Sequence, residues 1–238
     1  MATTTNLDQT IGGDLLTLVT APVFGVGSFL RRRRIVHPVG TGMEVRMEIS
    51  DTNALLAGSL LGRPGVTTGV LRLSRGLGRG PDNPDYRGFA LKTAQGTNHE
   101  QDILLVSAVR SGRRDVLAES ASYTCRYCSL LPFDAGNGPI VLHALPRSPM
   151  PRDGAVDAGR VRGIEFDLGV GRPGRPWLPF ATVVIGAALA PDATEHLRFD
   201  PFHDGGGLRP LGSLNVARQM TYRASQLGRA AWWRPPSR

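Results

Sequence analysis

The chain has 238 residues, 41% of them hydrophobic and 20% charged, with a formal net charge of +8. This balance suits one globular domain with a sizeable core and excludes a disordered or collagen-like chain. The charge does not argue for a nucleic-acid partner: Lys92 is the only lysine among 28 basic residues, and such an arginine skew, beside 30 glycines and 18 prolines, reads as the coding bias of a GC-rich genome.

Residues 1–30 read as an N-terminal arm. Its apolar run, Leu15 to Leu30 (LLTLVTAPVFGVGSFL), is shorter than the roughly 20 residues a membrane span needs, and Pro22, Gly25 and Gly27 interrupt it. The charges of Arg31 to Arg34 follow the run, whereas a signal peptide carries them before it. The arm is therefore expected to pack on the body or touch a membrane surface peripherally. A cytoplasmic location is expected, since Cys125 and Cys128 are too few for a disulfide framework.

Alternation dominates the middle of the chain. In MEVRMEIS, Met43, Val45, Met47 and Ile49 alternate with Glu44, Arg46, Glu48 and Ser50, which predicts a half-buried strand. Helical pattern follows at Asp51 to Leu61. Further strands are predicted at Thr67 to Ser74, Gly88 to Thr93, Asp102 to Ala108, Pro139 to Leu145, Gly163 to Val170 and Ala181 to Ala187. Turn clusters such as GRGPDNPDYRG and FDAGNGP separate them. A last helix is predicted from Ser213, an N-cap, to Trp232. The pattern predicts a single α+β domain over 1–238, an antiparallel barrel or coiled sheet with flanking helices.

Three stretches carry residues with chemistry. In RRRRIVHPVGTG, His37 stands where a strand begins. In GVLRLSRG, alternation puts Arg72 and Ser74 on one face and Leu71 and Leu73 on the other; either the leucines are the buried pair of a surface strand, or the polar pair is buried and needs partners. In NVARQMTYRASQLGR, Arg218, Tyr222 and Arg229 stand at offsets that keep them within about 40° of one another on a helix, over roughly 16 Å. The C-x-x-C of Cys125 and Cys128 lacks a second pair to complete a zinc site, and on a strand the two thiols point to opposite faces. His99, His143, His196 and His203 have no metal-ligand spacing.

Taken in order, these segments resemble the haem catalases and their smaller catalase-related relatives. RIVHPVGTG resembles the distal-histidine stretch, LRLSRGLGRGPDNPDYRGFALK the R-F-S…D…R-G-F-A-x-K block, and LRFDPFHDGGGLRPLGSLNVARQMTYRASQLGR the block that carries the proximal tyrosine. The resemblance implies a catalase-like barrel core and a haem b cofactor. It implies a distal catalytic histidine at His37 with Ser74 as its partner, propionate-binding arginines at Arg34, Arg72 and Arg229, and an iron ligand at Tyr222 assisted by Arg218. The chemistry agrees. A phenol titrates near 10, a guanidinium one turn away favours its ionised form, and phenolate is a hard axial ligand for ferric iron. Neutral imidazole suits proton transfer to and from peroxide near neutral pH.

Two departures shape the expected activity. The family's distal asparagine falls five residues after an aspartate, and counting from Asp102 reaches Ser107, a smaller hydrogen-bond partner; Phe133 is the candidate distal phenylalanine. The chain is also shorter than ordinary catalases, which is expected to leave the haem more accessible. The expected function is therefore a haem peroxidase that uses hydrogen peroxide or organic hydroperoxides to oxidise a small organic or lipid co-substrate, as a homo-oligomer. The alternatives are a fatty-acid hydroperoxide lyase or allene oxide synthase-like enzyme, a weak catalase, and a non-enzymatic haem carrier or sensor.

Overall fold

The computed structural model describes residues 37–80, 83–150, 158–200 and 202–211, which lie within one compact unit, His37–Leu211. Eleven strands succeed one another: β1 (Val39–Ile49), β2 (Gly65–Arg75), β3 (Arg87–Thr93), β4 (Gln101–Ser111), β5 (Arg114–Leu117), β6 (Tyr127–Cys128), β7 (Phe133–Asp134), β8 (Pro139–Pro146), β9 (Glu165–Gly171), β10 (Leu178–Ala188) and β11 (Arg209–Pro210). All pairings are antiparallel, in the order β8-β6-β4-β3-β2-β1-β10-β9, and β9 returns to β8. Those eight strands close a barrel, which leaves none of them an open edge.

The predicted alternation is what fills the interior. Met43, Val45, Met47 and Ile49 of β1 are buried inside, with Leu71 and Leu73 of β2, Phe89 and Leu91 of β3, and Phe166, Leu168 and Val170 of β9. Phe89, Tyr127 and Phe166 form a tilted aromatic cluster at its centre, with Phe89 5.2 Å from Phe166 and 5.5 Å from Tyr127. Each strand's other face is directed away from this cluster.

The helical expectations need correction. Asp51 to Leu61 forms two short 3-10 turns, Ala54–Leu56 and Leu60–Gly62. Asn53 Oδ1 accepts from Leu55 N and Ser59 Oγ from Leu61 N, so the segment is capped and restarted. Between the two turns, Gly58 N donates to Ala135 O, and a Cβ on Gly58 would sit 2.2 Å from that oxygen. Elsewhere among the described residues the α-helices are α1 (Ala158–Val161) and α2 (Pro191–His196), so this unit is overwhelmingly β. The predicted helix 213–232 and the arm 1–30 lie outside the described residues.

Candidate functional site

His37 precedes β1 in a left-handed backbone conformation, φ 59°, which a non-glycine residue adopts only at a cost. Three bonds hold it there. Its N–H donates to Gly76 O at 2.8 Å, its carbonyl accepts from Arg72 Nη2 at 3.1 Å, and its Nδ1 lies 2.9 Å from Ser74 Oγ. Both Arg72 and Ser74 are buried, so the polar face of β2 is the buried polar pair with partners, and the two leucines behind it are buried as well.

Register explains how an imidazole fits against this strand. Ser74 is paired on one side with Gly40 of β1 and on the other with Gly88 of β3. A Cβ on Gly88 would lie 2.5 Å from Ser74 Oγ and 2.6 Å from His37 Nδ1 and Cε1; one on Gly40 would lie 2.8 Å from Arg72 Cζ. The two glycines leave the space that the histidine ring and the guanidinium occupy.

Ser107 does not join this arrangement. Its hydroxyl donates to Ala118 O and accepts from Arg87 N at 2.9 Å, on the inner face of β4. The residue in line with Ser74 and Gly88 is Val106, the direct cross-strand partner of Gly88. The place in this cross-strand row is thus held by an apolar side chain, not by the hydroxyl that counting along the sequence reached. The reason is the two-residue period of a strand, which sends neighbours to opposite faces. Phe133, the candidate distal phenylalanine, belongs to the interior cluster. Arg34, Arg218, Tyr222 and Arg229 lie outside the described residues.

Sequence reasoning missed the supports of the site. Asp85, in a stretch read as a turn and as part of the catalase-like block but given no role, is fully buried. Its carboxylate accepts from the backbone N–H groups of Leu77, Arg79 and Tyr86, which fixes the loop leaving Ser74. Burial pushes its pKa up, and those three bonds with the Arg87 charge more than reverse this, leaving it below the ordinary value. Arg87 and Arg75 are directly cross-strand and both buried; the Arg87 guanidinium carbon lies 4.8 Å from the Tyr123 ring centre. Lys92, the chain's only lysine, is buried among Glu100, Asp102 and His203, with Nζ 2.8 Å from Asp102 Oδ1. That ammonium already supplies the cation those acidic groups require.

No protein-family model and no curated protein matches the chain. Solved structures do. A bacterial catalase superposes with a TM-score of 0.61 at 14% identity over 85% of this chain, and a fungal catalase with 0.59 at 13% over 86%. The fold is catalase-like. The match takes in 59% of the bacterial protein and 63% of the fungal one, so this chain spans about three fifths of their length.

A seated imidazole and a buried guanidinium on one strand face are a proton carrier and a carboxylate-binding cation. Those two groups suit the distal side and one carboxylate of a haem, the cofactor that the sequence resemblance implies.

Proposed function

We propose that the chain is a haem-dependent peroxidase that uses hydrogen peroxide or organic hydroperoxides to oxidise organic substrates. The observation that carries this reading is His37, held in left-handed backbone with its ring against Ser74 and its carbonyl on buried Arg72. Strain of this kind persists where the surroundings over-determine it, and it concentrates at functional sites.

Arg72 would bind a propionate, with Arg34 and Arg229 as further partners, and Tyr222 assisted by Arg218 would ligate the iron; these four come from the sequence resemblance. When bound, the haem supplies the redox chemistry of the peroxide bond. With its proton on Nδ1, His37 donates to Ser74 Oγ, which fixes the ring and presents the Nε2 lone pair. Nε2 takes the proton of an incoming peroxide and returns it to the departing oxygen. Val106 offers that peroxide no hydrogen bond. A second peroxide is therefore poorly oriented, and an organic reductant is favoured over dismutation.

The test uses the full chain loaded with haem. Oxidation of a reducing dye by hydrogen peroxide is expected, falling by about 10²–10⁴-fold in His37→Ala with iron content unchanged. The ferric absorption spectrum is expected to change in Tyr222→Phe. A chain that binds no haem, or a His37→Ala variant with full turnover, overturns the proposal.

A further inference from the structure

Cys128, His143 and Asp115 form a cluster that the site above does not use. Cys128 of β6 and His143 of β8 are direct cross-strand partners on the outer face, and Asp115 comes from the β4–β5 hairpin beside them. One ligand atom from each, the thiol sulfur, an imidazole nitrogen and a carboxylate oxygen, lies within 4.8 Å of the other two. His143 Nε2 is 3.9 Å from Asp115 Oδ2.

His143 is the telling member. It is 1% exposed, yet neither ring nitrogen makes a hydrogen bond. Buried polar groups are nearly always bonded, and an imidazole without partners, aimed at a thiol and a carboxylate, is arranged as a ligand. Its ring is also fixed. Trp177 stacks on it with ring centres 5.7 Å apart and planes 17° from parallel. Gly169, the cross-strand partner of His143, makes room for that indole; a Cβ there would lie 1.7 Å from Trp177 Cε3.

We propose that Cys128, His143 and Asp115 bind a divalent cation of the zinc class, with a fourth position open to water. Sulfur, nitrogen and oxygen donors of this kind suit zinc. A tetrahedral centre holds its ligand atoms about 3.3–3.7 Å apart, so the cluster must contract by about 1 Å, within reach of small side-chain rotations. Burial keeps His143 neutral, the form that ligates. Cys128 would bind as thiolate, its proton released on metal binding. Arg110 and Arg126 contact Asp115 at 3.1 and 3.6 Å, with side chains 31% and 33% exposed. With two anionic ligands the occupied centre is neutral, so binding removes the negative charge that these guanidiniums face, a cost that their partial exposure to water screens.

The experiment uses the full chain without an affinity tag, equilibrated with Zn²⁺ and then freed of unbound metal. Elemental analysis counts zinc and iron separately, so loss of haem and loss of this site are read independently. About one zinc per chain is expected in the wild type and in Cys125→Ser, and a small fraction of that in Cys128→Ser and His143→Ala. Replacing Zn²⁺ by Co²⁺ is expected to give a thiolate-to-cobalt absorption band that Zn²⁺ abolishes. A wild-type chain that retains no zinc, or gives no thiolate band with Co²⁺, overturns the proposal without recourse to any variant. A band that survives Cys128→Ser does so too.

Discussion

Ser74 Oγ lies 2.9 Å from His37 Nδ1, and a glycine stands on each side of Ser74 in the neighbouring strands. The histidine is therefore positioned by an absence of side chains as much as by a hydrogen bond. Gly88→Ala would place a methyl group 2.6 Å from the imidazole and force the ring to move. Peroxidase kcat is expected to fall by about 10²-fold, the usual cost of misplacing a catalytic group by about 1 Å. Haem content should be unchanged. Stopped-flow turnover beside an iron assay checks both; unaltered kcat would mean that His37 is not the proton carrier.

Val106, and not the Ser107 that counting along the chain reached, stands in the row of Ser74 and Gly88. Val106→Asn restores a hydrogen-bonding group on the face shared by Gly88 and Ser74. Oxygen release from hydrogen peroxide, relative to dye oxidation, is expected to rise about tenfold or more, as oriented donors do for a reacting oxygen. An oxygen electrode reads this directly, and an unchanged ratio would remove Val106 as the determinant. Ser107→Ala should behave differently, costing about 1–3 kcal/mol of stability through its bonds to Arg87 N and Ala118 O, with kcat preserved.

That difference shows where sequence reading stops. Seven of the eight barrel strands were legible because a half-buried strand announces itself by alternation; the eighth, β6, is only Tyr127–Cys128 and too short to show any period. The two thiols do lie apart, but not by the strand period: Cys125 precedes β6 and packs on the interior, while Cys128 on β6 pairs with His143 on the outer row. Register was not legible. Ser74, Gly88, Val106, Cys128 and His143 form one continuous cross-strand row, yet nothing in their spacing along the chain announces it. A one-residue step decided whether Ser107 or Val106 stood in the row of Ser74 and Gly88, and motif counting carries no information about faces. The role of Asp85 was equally hidden although its stretch matched a block, since its bonds go to backbone groups, which have no sequence signature.

Lys92 gives a test of the barrel's buried charge. It holds Glu100 and Asp102, and Asp102 is fully buried. Lys92→Met leaves that carboxylate without its ammonium, and a loss of about 3–5 kcal/mol in denaturant unfolding at neutral pH is expected. Burial already raises the pKa of Asp102 against the pull of Lys92. Without the lysine it rises further, so the folded state binds the proton more tightly than the unfolded one. The deficit should shrink as pH falls and Asp102 becomes neutral. A deficit that is the same at neutral and acid pH would mean lost packing rather than an uncompensated charge.

Asp85 predicts the opposite sign. Its folded pKa lies below the ordinary value of 3.8, because three backbone N–H groups and the Arg87 charge outweigh burial. Such a group stabilises the fold above the unfolded value, and its contribution is lost as pH falls through the folded one. Acidification from about pH 4 downward should therefore destabilise the wild type partly through Asp85. Asp85→Asn removes the charge and weakens the loop that leaves Ser74, so the variant is expected to be less stable than wild type at neutral pH. Its stability should also fall less steeply below about pH 4, because one acid-sensitive carboxylate has gone. Urea unfolding at several pH values checks both parts, and parallel pH profiles for the two proteins would refute the assignment of that acid sensitivity to Asp85.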